Sequence, residues 1–293
     1  MKRSFQALAH TVKRMRSQIK LRRIRLTLLD QAKAFPHKPE TLFELLQKRF
    51  SPAGNYGYDA YSTWERGFER ARNLLKKTGL TTPGIKFFEA GCGDGMVGKA
   101  MDSYGHEVML SDLDDWRDSR VADLAFLQAD LGQRIPIPDD QFDLIVSYNT
   151  FEHLQDPAQA FRELYRICKP GGMLYIDFGP LYCSPWGLHA YHSLHMPYLQ
   201  FLFSENFIRD KLHELGFNDL GKTRDDLQPL NRWRSTQFEH LFKGSEGEIV
   251  SYEKYEVDTY LSLVLEYPWA FQQQELTIED LTTQALRVLI RKN

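Results

Sequence analysis

The chain lacks any hydrophobic run near the ~20 residues that a bilayer-crossing helix needs, so a membrane-spanning protein is not expected. The N-terminus is charged and has no apolar core of a secretory signal, which leads to a cytoplasmic expectation. Cysteine is scarce. Cys92, Cys168 and Cys183 are odd in number and lack metal-ligand spacing, so three free thiols in a reducing compartment are expected rather than a disulfide framework or a cysteine-held ion. There is no internal repeat and no low-complexity tract. What the chain does have is 293 residues at 42% hydrophobic content, enough for a large core in one domain or two smaller ones.

Net charge is also small, at −2, but it is segregated. Residues 1–30 carry nine Lys or Arg against Asp30 alone, a local charge of +8 that leaves about −10 for the remainder. Within that segment Phe5, Leu8, Val12, Met15 and Ile19 recur at steps of three and four, the period of an amphipathic helix. Three roles stay open: a helix packed on the body with a solvated basic face, a tether to an anionic membrane surface or polyanion, or an organelle transit peptide.

From residue 85 to 178 short apolar runs alternate with helical patterns, as in a parallel sheet with crossover helices. Strands are expected at Ile85–Glu89, Glu107–Ser111, Ala125–Ala129, Phe142–Tyr148 and Met173–Phe178. Helices are expected at Met96–Tyr104, Trp116–Leu124 and Pro157–Cys168, the last stopped by Lys169-Pro170-Gly171-Gly172. A further helix over 204–217 takes Ser204 as N-cap, a sixth strand is expected near Phe217–Lys222, and a seventh closes the chain. Residues 1–80 read as the basic helix and a helical lead-in. Residues 81–293 read as the main domain, with cap insertions at about 179–203 and 226–275.

Ligands of an open parallel sheet bind beyond the carboxyl ends of its strands. There the chain places "FFEAGCGDGMVG", residues 87–98, which reads both as a dinucleotide loop, Gly93-x-Gly95-x-x-Gly98, and as Glu89-x-Gly91-x-Gly93-x-Gly95. "SDLD" puts Asp112 where a carboxylate can accept from both hydroxyls of a ribose. "AD" puts Asp130 where it can accept from an adenine amino group while the Leu131 N–H donates to a ring nitrogen. "SYNTFEHL" brings Asn149, Glu152 and His153 to the same rim. Two acidic groups, Glu89 and Asp130, would repel a pyrophosphate, which favours a positively charged nucleoside over a dinucleotide.

With these motifs in this order, the chain resembles the class I S-adenosylmethionine-dependent methyltransferases over roughly residues 85–178. The resemblance implies a Rossmann-like, doubly wound, mostly parallel seven-stranded sheet with helices on both faces and an antiparallel last strand. It also implies that Glu89, Gly91 and Gly93 meet the methionine end of S-adenosyl-L-methionine, Asp112 the ribose, Asp130 and Leu131 the adenine, and that Asn149 lies at the floor of the site. Some relatives bind a divalent metal at the "EHL" position; this chain has Asn149 where an added glutamate would sit, so no metal is expected.

His153, close to the transferable methyl, is the candidate general base. In "SPWGLHAYHSLHMPY", His189, His192 and His195 fall at steps of three on an expected short helix, and with Trp186 and Tyr191 they form the candidate acceptor wall. The expected reaction is methylation of a small or medium-sized acceptor, at a hydroxyl. Alternatives are a methyltransferase acting on RNA or another polyanion held by the basic N-terminus, and a cofactor-binding module without turnover.

Overall fold

The computed structural model describes residues 38–51, 57–219, 222–223, 226–272 and 275–293. The basic helix expected over residues 1–30 lies outside them.

The sheet grows from β1 (Lys86–Ala90), where Phe87 and Phe88 are fully buried and point to opposite faces, as successive strand residues must. Next to it stand β2 (Glu107–Asp112) and β3 (Ala125–Gln128) on one side and β4 (Phe142–Tyr148) and β5 (Cys168–Phe178) on the other, all parallel. A separate two-stranded ribbon, β6 (Asn218–Asp219) and β7 (Lys222–Thr223), precedes β8 (Glu248–Glu256) and β9 (Thr283–Arg291). The seven-stranded order is β3-β2-β1-β4-β5-β9-β8, with β9 antiparallel to both neighbours.

Helices cover both faces. On the Phe87 face lie α2 (Ala60–Thr78) and α3 (Met96–Ser103), through Ala71, Leu74, Ala100 and Met101. On the Phe88 face lie α4 (Pro157–Ile167), capped by Asp156 and begun by Pro157, and α7 (Ser235–Lys243), which contributes Phe238 and Phe242. The lead-in helix α2, capped by Asp59 and ended by Gly79 in the left-handed conformation, therefore closes the sheet itself.

A second hydrophobic core lies under the cap. It joins Leu42 and Leu46 of α1 (Pro39–Arg49), Tyr198 and Leu202 from α5 (Leu199–Leu202) and its approach, Ile208 and Leu212 of α6 (Glu205–Leu215), and Leu261 and Val264 of α8 (Leu261–Glu266). Short α9 (Ile278–Thr282) leads into β9.

Four expectations need correction. The sixth strand near Phe217–Lys222 is the small ribbon, and the sheet edge is filled by β8, inside the 226–275 segment read as cap. As an edge strand, β8 buries few side chains, so its "EIVSYEKYE" carries a weak apolar signal. The expected helix Trp116–Leu124 is one 3₁₀ turn, Ser119–Val121. There Asp118 accepts from the Arg120 N–H and Arg117 donates to the Leu124 carbonyl, side-chain bonds that compete with a helix ladder. The Lys169–Gly172 turn lies within β5, between Cys168, paired with Phe142, and Met173, paired with Leu144. The histidine helix in the cap does not form: the segment runs as turns, with His189 itself at φ 61°.

Candidate active site

The glycine loop joins β1 to α3 with Gly91, Gly93 and Gly95 all at positive φ, 71°, 51° and 74°, which glycine adopts without the Cβ penalty. A Cβ on Gly91 would overlap the Thr150 side chain, so the turn after β4 sits directly on the loop. A Cβ on Gly93 would meet nothing within 4 Å, which leaves an open cradle above the backbone. Gly98 serves packing instead. A Cβ there would strike Leu110, so it lets α3 close onto β2, and its N–H donates to Glu89 Oε2 at 2.9 Å.

Asp112, at the end of β2, accepts from Gly93 N at 2.9 Å and from Leu113 N at 2.7 Å, and burial raises its pKa. Asp130 is exposed and accepts from Gly132 N at 2.8 Å, whereas Leu131 is buried. Asn149 adopts φ 50°, and its N–H donates to the Asp177 carbonyl at 2.9 Å. Because β1, β2, β3 and β4 run parallel, these residues all lie at or past the carboxyl ends of strands along one edge of the sheet.

Beyond Thr150 the chain turns once, with His153 N donating to the Thr150 carbonyl. Glu152 is 2% exposed; its Oε1 accepts from Gly179 N at 3.2 Å, and burial raises its pKa. His153 Nδ1 is bonded to the Pro229 carbonyl at 2.9 Å, and its ring meets His189 edge-on at a centroid distance of 4.9 Å. Burial, with His153 nearby, pushes His189 down to about 3.

The remaining cap residues pack among themselves. Trp186 meets Tyr191 and Tyr260, His192 meets Tyr58 and Tyr191, and His195 Nε2 is bonded to the His192 carbonyl at 3.3 Å. A cavity of about 360 Å³ lies beside them, lined by Gln155, Tyr182, Leu188, Phe203, Ile208 and Pro229 among others; of the expected wall residues, none lines it. Sequence reasoning also missed Arg70, whose guanidinium lies 4.5 Å from the Tyr148 ring centre and faces Glu89 electrostatically. Its signal was the helical period of α2, but only the fold brings that helix over β4.

Comparison with known proteins bears on the same rim. Residues 88–176 match the family model for a methyltransferase domain. Over that stretch the chain is similar to S-adenosylmethionine-dependent methyltransferases. It is 29% identical over 153 residues to a malonyl-[acyl-carrier protein] O-methyltransferase of Paenibacillus sp. (strain JDR-2), covering 46% of this chain and 55% of that one. It is 30% identical over 106 residues to a ubiquinone biosynthesis O-methyltransferase of Pseudomonas fluorescens (strain SBW25), covering 32% and 44%. The chain thus spans about half the length of the curated relatives it matches. Among solved structures, a methyltransferase from Mesorhizobium loti aligns at TM-score 0.46 and 19% identity, covering 76% of this chain and 96% of that one.

The methyltransferase cofactor, S-adenosylmethionine, fits the residues present. The open cradle over Gly93 would admit a ligand against backbone, Asp112 would offer oxygen acceptors to a ribose, and an ammonium beside Glu89 would draw its carboxyl into the charged form. Burial, reinforced by Asp94, pushes the Glu89 carboxyl up to about 8 from 4.5. Because the folded value is the higher one, Glu89 favours the ligand-free fold fully below about pH 4.5 and loses that contribution as pH rises through about 8. The melting temperature of the ligand-free protein should therefore fall across this window, and Glu89→Gln should flatten the slope. Equal slopes in both proteins would show that another group titrates.

Proposed function

We propose that this protein transfers the methyl group of S-adenosylmethionine to a hydroxyl oxygen of a small or medium-sized acceptor at the rim formed by β4 and the cap. The observation that carries the reading is the Glu152–His153–His189 cluster, one turn beyond the Thr150 that packs on the cofactor loop. Since a carbonyl only accepts, His153 Nδ1 carries the proton given to Pro229, and Nε2 is left with a lone pair for the acceptor's proton. The displacement itself needs little more than position: the acceptor oxygen about 3 Å from the methyl carbon, in line with the departing sulfur.

Pro229 also lines the 360 Å³ cavity, so the backbone that orients His153 borders a space in the size range of small-molecule sites, roughly 300–1,000 Å³. Oxygen as the accepting atom is in keeping with the O-methyltransferases among the relatives, the malonyl-[acyl-carrier protein] and ubiquinone biosynthesis enzymes included. Calorimetry tests the cofactor half: S-adenosylhomocysteine should bind and NADH should not. Radiolabelled methyl transfer to a panel of hydroxyl, amine and carbon acceptors tests the other half. Tight NADH binding without S-adenosylhomocysteine binding would sink the reading, and label on nitrogen or carbon alone would remove the hydroxyl.

A further inference from the structure

We propose that Glu152, His153 and His189 form a site for one divalent transition-metal ion. The ligands come from two separate places, the turn after β4 and the cap loop after β5. Their donor atoms nonetheless lie within 4.8 Å of one another, a closeness that no other trio of His, Cys, Asp and Glu reaches among the described residues. His153 Nε2 stands 3.9 Å from Glu152 Oε1. An ion at bond lengths of about 2.0–2.2 Å would draw these atoms inward by about 1 Å or less.

The hydrogen bonds around the cluster fix which atoms can ligate. His153 gives its Nδ1 proton to the Pro229 carbonyl at 2.9 Å, and His189 gives its Nε2 proton to the Pro180 carbonyl at 2.8 Å. The opposite nitrogens, His153 Nε2 and His189 Nδ1, are therefore bare lone pairs. A ring held by a carbonyl on one side and bare on the other is how ligating histidines are oriented. Glu152 adds a carboxylate whose Oε2 is buried and has no partner among the described residues. Two imidazoles and a buried carboxyl are thus gathered with no Lys or Arg paired to them among the described residues, and a cation resolves that arrangement.

Two imidazoles and one carboxylate suit zinc, cobalt or ferrous iron, whereas magnesium and calcium prefer oxygen throughout. Three protein ligands leave a position open. That last part of the inference rests on the proposed methyl transfer: an acceptor hydroxyl on the ion loses its proton to water, its oxygen forms the bond to the methyl carbon, and sulfur leaves with the electron pair of the broken C–S bond. With the ion in place His153 Nε2 is a ligand, and the ion takes over the acidification of the acceptor. The Asn149 departure, which argued against a metal, does not bear on this set, because His189 of the cap supplies the third ligand.

The test is a Co²⁺ titration of the EDTA-treated full chain, followed by visible absorption and by displacement with Zn²⁺. One Co²⁺ per chain is expected, with affinity lowered about 100-fold or more in His153→Ala and His189→Ala, since even losses around a ligand cost about 10–100-fold. Should buried His189 tolerate no truncation, partly exposed His153 still decides through His153→Ala and His153→Gln. S-adenosylhomocysteine affinity, measured on the same samples, reports that the fold is intact. Wild-type protein that binds S-adenosylhomocysteine but neither ion, or Co²⁺ affinity unmoved by the His153 variants, would overturn the site. Failure of S-adenosylhomocysteine to bind would count against the cofactor reading alone, because the Co²⁺ titration is read independently.

Discussion

Replacing His153 with alanine should lower methyl transfer by about 10²–10⁴-fold while leaving S-adenosylhomocysteine affinity unchanged. The split follows from where the ring is held. His153 is fixed by the Pro229 carbonyl and faces Glu152 and His189, whereas the cofactor loop is fixed by other bonds, Gly93 to Asp112 and Gly98 to Glu89. On the proposed reading, losing the imidazole removes the atom that deals with the acceptor's proton, while the bonds that fix the glycine loop stay in place. Single-turnover kinetics beside calorimetry would check it. A loss in affinity that matches the loss in rate would mean that His153 only props up the strand–helix junction. Treating the wild type with EDTA separates the two ways in which the ring can act: turnover that persists makes Nε2 the free base, and turnover that falls and returns with Zn²⁺ makes it a ligand.

The parts of the site that were legible in the sequence are those whose chemistry is local. Strands β1, β2, β3 and β4 are short apolar runs, and Gly91, Gly93 and Gly95 sit where the backbone takes positive φ, so the loop is written into consecutive residues. Asp112 ends β2, and Asp130 stands two residues past the end of β3. What could not be read is what depends on distant packing. His189 reaches His153 only because the loop after β5 folds back over the turn after β4, and nothing in the step-of-three histidine spacing carries that. The same spacing suggested a helix that the structure lacks. Glu152 was seen at the rim, but its burial and its bond to the Gly179 N–H are tertiary. The edge strand β8 was hidden for a different reason: half exposed, it reads as insertion, and only its antiparallel pairing with the distant β9 makes it part of the sheet.

Asp112→Ala should weaken S-adenosylhomocysteine binding by about 1.5–3 kcal/mol, roughly 10–150-fold, the range for hydrogen bonds to a charged acceptor. Two losses combine in that figure. The carboxylate at the end of β2 is the acceptor proposed for the ribose hydroxyls, and it also ties the loop by accepting from the Gly93 and Leu113 N–H groups. Asp112→Asn tells them apart, because the amide keeps one oxygen to accept from the backbone but replaces the other with a donor that a ribose hydroxyl must meet differently. If the ribose contact dominates, Asn should bind nearly as poorly as Ala; if the tie to Gly93 dominates, Asn should recover most of the affinity. An alanine variant that binds as well as wild type would mean that the cofactor does not reach the end of β2, and the ribose assignment of Asp112 would have to be abandoned.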